Sequence, residues 1–206
     1  MKPKRKYHHG NLKQALVDAT LKLVEDKGPN GFTMAEAAKL AGVSTAAPYR
    51  HFRSREEILG EAALQGFEIF ADLMEFAYND GKPSPLAAFE ATGHAYLAFA
   101  QKYPGHYIAM FESGLSFNMN SELAHAALRA KSVLHRAAEE LVSRIPPGKK
   151  PPSSMVSDHI WAMSHGVVEL YSRGEPGNRS IYSAENLLET GIGIYLRGLG
   201  LLEPDK

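Results

Sequence analysis

The residues with the widest chemical repertoire in this 206-residue chain are its nine histidines. Six of them, His94, His106, His125, His135, His159 and His165, fall after residue 60. Beside carboxylates they could hold a metal ion or act as general bases, so a metal-binding or enzymatic helical protein is one reading. Their spacing gives that reading little: there is no HExxH motif, and His159 and His165, six apart, lie on different faces of a helix. The chain has no cysteine, which removes thiolate metal sites and a disulfide framework. No metal, cofactor or enzymatic activity is expected. A different chemistry is suggested by GVSTAAPYRHF, residues 42–52, which has the look of a short DNA-reading helix. Pro48 stands inside it, and an interior proline removes a backbone donor and crowds the carbonyl four residues back.

The charge balance points the same way. Residues 1–60 carry eleven Lys and Arg against six Asp and Glu, while residues 61–206 carry twelve against seventeen. A basic first quarter on an acidic remainder suits a nucleic-acid-binding head. At 44% hydrophobic and 22% charged, the composition is that of a globular protein. No run of eighteen apolar residues and no signal-peptide pattern occurs, so no membrane partner and a cytoplasmic location are expected.

Almost every apolar pattern has the helical period, which predicts an all-α fold of about nine helices. Leu12, Ala15, Leu16, Ala19, Leu23 and Val24 make one stripe, closed by Gly28. Thr33 with Glu36, and Ser54 with Glu57, are capping boxes opening a short helix from Met34 and a long one from Arg55. Ser84 before Pro85 opens another. Further helices are expected over 104–113, 121–145, 153–173 and 183–199.

Residues 33–52 read as helix, glycine-containing turn, helix, the pattern of a helix-turn-helix. Leu12, Leu16, Leu23, Phe32, Ala37, Leu40 and Phe52 are its expected core, with Val43 plugging the junction. If Thr45 caps the second helix, Pro48 is its third residue and has no intrahelical bond to lose. Ala47 should be pushed from helical geometry by the proline after it. The helix is therefore expected to start late or with a loosened first turn.

The segment from Tyr7 to Leu64 resembles the DNA-binding head of the tetracycline-repressor (TetR) family. Thr33, Ala37–Ala38, Ala41–Gly42–Val43–Ser44, Tyr49, His51–Phe52 and Ser54–Arg55–Glu56 carry the resemblance. It implies a head over 1–56 and a ligand-binding, dimerising helical body over 57–206. It also implies a repressor released from a pseudo-palindromic double-stranded operator by a small hydrophobic or aromatic effector. Thr33 resembles a phosphate contact, as do Tyr49, His51 and Arg55, the last standing where the family usually has lysine. Ser44, Thr45, Ala46 and Arg50 would face the groove: arginine can bridge guanine O6 and N7, and alanine can pack on a thymine methyl. Lys4, Arg5 and Lys6 resemble a minor-groove arm. Ala47 and Pro48 depart from the family pattern, so no operator sequence can be borrowed. Trp161, His165 and Gly166 resemble a Trp–His–Gly signature of one subgroup.

For the body, Phe70, Phe89, Tyr96, Tyr107, Phe111, Trp161 and His165 are the expected effector contacts. An apolar, aromatic pocket with few polar groups favours a flat or oily molecule. The last helix carries two adjacent apolar stripes. Leu188, Ile192, Tyr195 and Leu199 are assigned to a homodimer interface, beside Leu187, Gly191, Ile194, Gly198 and Leu201. Two-fold symmetry is what a helix-turn-helix protein needs to span two half-sites.

Overall fold

A computed structural model describes residues 12–116, 120–146, 148, 150–172 and 181–202. Among these residues there are eight α-helices and no strand: α1 Leu12–Lys27, α2 Met34–Leu40, α3 Arg55–Tyr78, α4 Pro85–Lys102, α5 Pro104–Phe111, α6 Ser121–Ser143, α7 Ser153–Ser172 and α8 Ala184–Gly198. The expected ninth, after the helix-turn-helix turn, is a single 3-10 turn over Pro48–Arg50. None of the described helices is long and apolar enough to cross a membrane.

The helix starts are set by local chemistry. At α2, Glu36 N–H donates to Thr33 Oγ1 at 3.2 Å and Thr33 N–H donates to Glu36 Oε2 at 2.8 Å, a complete capping box. At α3, Ser54 Oγ accepts from Glu57 N–H at 3.3 Å, and the Glu57 carboxylate reaches back to Arg53 N–H at 2.6 Å. Ser84 caps α4 through Ala87 N–H, and Ser183 caps α8 through Asn186 N–H. The cap of α6 is Asn120, whose Oδ1 accepts from Glu122 N–H at 2.8 Å.

The described residues fall into two compact units, one within Met1–Glu68 and Tyr103–Ala127, the other within Ile69–Lys102 and Leu128–Lys206. The expected boundary at 56/57 falls in the first turn of α3, which runs unbroken to Tyr78. In the first unit, α5 packs on α1. Gly105 permits the approach, since a Cβ there would lie 2.7 Å from the Leu21 carbonyl oxygen. Lys13 binds Glu61 at 2.7 Å, and the Gln14 and Gln65 amides bond reciprocally at 3.1 Å, tying α1 to α3. Burial pushes the His106 imidazole below its usual pKa, with nearby Asp18 opposing the shift.

In the second unit α4 packs against α7 and α8. Gly93 is the point of close approach: a Cβ there would meet Leu188 Cδ2 at 3.3 Å and Ile192 Cδ1 at 3.6 Å. Exposed pairs Asp72–Arg129 and Glu75–Arg136 join α3 to α6, and exposed pairs of this kind add little stability.

Candidate DNA-reading surface and effector site

The α2 helix ends in a Schellman motif. Gly42, at φ +74°, donates from N–H to Lys39 O at 3.1 Å, and Val43 N–H donates to Ala38 O at 2.9 Å. A glycine suits that backbone because a side chain is strained at positive φ. The chain then makes a turn in which Ala47 N–H donates to Ser44 O at 2.9 Å. Pro48 opens the 3-10 turn, where its missing N–H has no intrahelical role, and Arg50, His51 and Phe52 N–H close back on Ala47 and Pro48.

Pro48 thus removes the regular first turn, and the late start follows from the sequence. Two details differ from expectation. No side chain caps the 3-10 turn, so Thr45 is not a cap; Ala47 holds the N-cap position. Ala47 also keeps helical geometry, φ −65° and ψ −39°, despite the proline after it. Its backbone is fixed by the Ser44 turn on one side and by Arg50 N–H on the other, which outweighs the local pre-proline preference.

The small core beneath this segment contains Leu16, Leu23, Phe32, Ala37 and Phe52, all buried, with Leu12 and Val43 half-buried. Pro48 itself is buried and contributes to it. Leu40 does not: it is 51% exposed, because Met34, Ala37 and Ala38 take the inward face of α2 and Leu40 sits round the cylinder from them.

Ser44, Thr45, Ala46, Arg50 and His51 are exposed, as is Tyr49 at 61%. They form two exposed runs, 44–46 and 49–51, separated by half-buried Ala47 and buried Pro48. The exposed Thr33 lies at the start of α2, but its hydroxyl donates to Glu36 Oε2 at 3.0 Å while accepting the Glu36 amide. An anion there would meet chiefly the Met34 and Ala35 amides, which helix geometry leaves unpartnered. The half-buried Arg55 guanidinium is turned to the α1–α2 connection: Nη1 donates to Asn30 O and Nη2 to Asn30 Oδ1, both at 3.1 Å. Lys4, Arg5 and Lys6 lie outside the described residues.

Glu36 organises the head's polar surface. Its carboxyl is held well below the usual range, to about 2, by Lys27 at 2.7 Å first and then by the Thr33 hydroxyl and amide. A depressed carboxyl contributes stability that is complete above the unfolded value of 4.5 and is lost as pH falls through about 2. Melting curves between pH 5 and pH 2 should therefore fall more steeply for wild type than for Glu36→Gln. Glutamine keeps the capping box but cannot titrate. Parallel curves would show that the box contributes nothing through ionisation.

Of the expected effector residues, the second unit gathers five. The Phe70 ring meets Tyr96 edge-on at 5.1 Å and Trp161 at 6.0 Å, and Tyr96 meets Trp161 at 5.5 Å. The Tyr96 hydroxyl and His165 Nδ1 are 2.8 Å apart. Phe99, which the sequence did not single out as a contact, joins at 4.9 Å from Phe70. Phe89 is fully buried on α4. Tyr107 and Phe111 belong to the first unit and pack on each other at 4.9 Å. A cleft of about 360 Å³ in the second unit is bordered by Leu97, Gln101, Val168, Tyr171 and Ser183.

Leu188 and Ile192, assigned above to a second copy, are 3% and 4% exposed within the chain itself, against Gly93. Neither has surface left to offer. Tyr195 is half-buried, its hydroxyl 2.9 Å from His159 Nδ1. The outward stripe is the adjacent one, where Ile194 is 62% exposed and Gly198 is open, with Leu199 half-buried beside it. A face of α7 is also exposed, with Met155, Ala162, Gly166 and Leu170 at helical spacing. Among the described residues no group of three or more His, Asp or Glu side chains is placed to hold a metal ion.

Comparison with known proteins places these features in context. A family model described as "Bacterial regulatory proteins, tetR family" matches residues 16–62, and one described as "Tetracyclin repressor-like, C-terminal domain" matches residues 89–194. The HTH-type transcriptional regulator YobS of Bacillus subtilis (strain 168), itself uncharacterized, is 29% identical over 100 residues, 48% of this chain and 51% of that protein. The chain thus aligns with about half the length of that relative. A structure of a protein of unknown function from Rhodococcus sp. RHA1 superposes with a TM-score of 0.77 at 25% identity, covering 95% of this chain and 98% of that one. The TetR family regulator PfmR of Thermus thermophilus gives a TM-score of 0.72 at 20% identity, over 92% and 99% of the two chains.

Proposed function

The chain belongs to the TetR family of bacterial regulators, and from that premise we propose that it is a ligand-responsive, DNA-binding transcriptional regulator of the cytoplasm. In this reading it is a homodimeric repressor released from a two-fold operator by a small hydrophobic or aromatic molecule. The observation that carries it is the pair of exposed runs 44–46 and 49–51, which follow the Schellman turn and flank Pro48, buried in the small head core.

Within those runs Arg50, Thr45 and Ala46 meet base edges in the major groove, while Tyr49, His51 and the α2 start position the head on phosphates. Two half-sites require two heads, which the outer face of α7 and α8 supplies. Ala162, Gly166 and Gly198 let a second pair of helices approach, and Met155, Leu170 and Ile194 give the apolar area. The effector site is centred on Phe70, Tyr96, Trp161 and His165, where a ligand must open packed aromatic contacts to enter. Helices α3 and α6 each give residues to both compact units, so a shift at the effector site reaches the head through α3. Linkage requires that effector and operator weaken one another's binding by the same factor.

Arg50→Ala is the direct test. It should weaken specific binding by about 1–3 kcal/mol and relax discrimination at one base pair, leaving non-specific binding nearly intact. Fluorescence-anisotropy titrations with matched and mutated duplexes measure both. Equal losses on every duplex would mean that Arg50 reads no base.

A further inference from the structure

We propose that Arg55 is a positioning residue that fixes the α1–α2 connection and, through it, the phosphate-facing start of α2. The inference rests on the DNA-binding reading above, and it assigns Arg55 a role different from the phosphate contact that family resemblance suggests for this position.

The geometry is that of an occupied fork. Arg55 Nη1 and Nη2 grip the backbone oxygen and the side-chain oxygen of the same residue, Asn30, each at 3.1 Å. The Glu56 carboxylate stands 3.7 Å from Nη2 and offsets the positive charge locally. The Arg55 side chain is 31% exposed, so the fork is partly withdrawn from solvent. A guanidinium can make two parallel bonds of this kind, whereas a lysine ammonium presents a single point charge without the planar fork.

What the fork holds determines its consequence. Asn30 is followed by Gly31, where any Cβ would clash with the Lys27 carbonyl, and then by Phe32, which is buried in the head core. Thr33, three residues beyond Asn30, caps α2. The connection is therefore tight, and moving Asn30 moves the cap. Because α2 delivers the Schellman turn and the segment after it, the fork bears on the whole reading surface without meeting DNA. The two bonds to Asn30 take one hydrogen from each Nη and hold the guanidinium plane on the α1–α2 connection.

Three variants separate positioning from phosphate contact: Arg55→Ala, Arg55→Lys and Asn30→Ala. Binding is measured on the duplex that the wild-type protein protects, over a series of salt concentrations. Arg55→Ala and Arg55→Lys should each weaken binding about tenfold, from loss of charge-assisted bonds. Asn30→Ala should weaken it by less, because the Asn30 carbonyl remains. In all three the slope of log affinity against log salt should equal that of wild type. Without DNA, amide exchange over Thr33–Ala38 should quicken in Arg55→Lys and Asn30→Ala. Wild-type affinity for Arg55→Lys, with a slope reduced by about 0.9 in Arg55→Ala, would identify a phosphate contact and overturn the proposal. Unchanged exchange in both conservative variants would overturn it as well. The exchange readout is independent of operator binding, so its failure is distinguishable from failure of the DNA-binding reading.

Discussion

Replacing Ile194 by glutamate should leave the chain folded and abolish tight operator binding. The side chain is 62% exposed on α8, so within one chain a carboxylate there stays in water. At the interface proposed above, a carboxylate would be buried on each of the two copies. Burying an unpaired charge on each copy costs several kcal/mol, enough to dissociate an ordinary dimer. A monomer then binds each half-site separately, losing the effective-concentration advantage of linked heads, which is about a hundredfold to ten-thousandfold. Leu188→Glu is the informative contrast. Leu188 is 3% exposed against Gly93 on α4, so its replacement should unfold the second unit. Light scattering with circular dichroism reads both variants. A folded, dimeric Ile194→Glu protein would place the interface on some other face.

Phe52→Ala is the second variant with a large expected effect. Phe52 is 4% exposed, closing the core of Leu16, Phe32 and Ala37, with Lys13 Nζ 5.9 Å from its ring centroid. Truncating a buried phenylalanine costs about 3–5 kcal/mol through lost transfer energy and the cavity left behind. A whole domain holds only about 5–15 kcal/mol, so the head should melt far below the rest of the chain. Hydrogen exchange should then show rapid exchange over residues 12–58, with residues 128–143 and 153–168 keeping their protection. DNA binding should be lost at temperatures where the second unit is intact. A single cooperative melt close to that of wild type would mean that Phe52 is not central to the head.

Much of this architecture was legible because its causes are local. The caps at Thr33, Ser54 and Ser84 depend on residues three apart, and all three sit where their spacing predicts. The late start at Pro48 follows from the proline's missing donor. Contacts between elements were harder. The two stripes of α8 have the same spacing, and spacing alone does not say which faces inward. That choice is made by Gly93, nearly a hundred residues earlier, which accepts Leu188 and Ile192. Likewise Phe70, Tyr96 and Trp161 share a cluster while Tyr107 and Phe111 lie in the other compact unit, a division that periodicity along single helices does not encode. Leu40 misled because a leucine near a helix end looks inward-facing until Met34, Ala37 and Ala38 occupy that face. The family resemblance marks Arg55 as a phosphate contact, and its bonds to Asn30, twenty-five residues earlier, are a contact that local pattern does not encode.

Genomic footprinting with wild-type protein and with Arg50→Ala tests the central claim most directly. Wild type should protect sites made of two related half-sites in inverted orientation, about 10 base pairs or a multiple of that apart. Arg50→Ala should lose those sites selectively while retaining weak, sequence-independent binding. The absence of any protected two-fold site for wild type, or identical footprints for the two proteins, would contradict a regulator that reads DNA through residues 44–51.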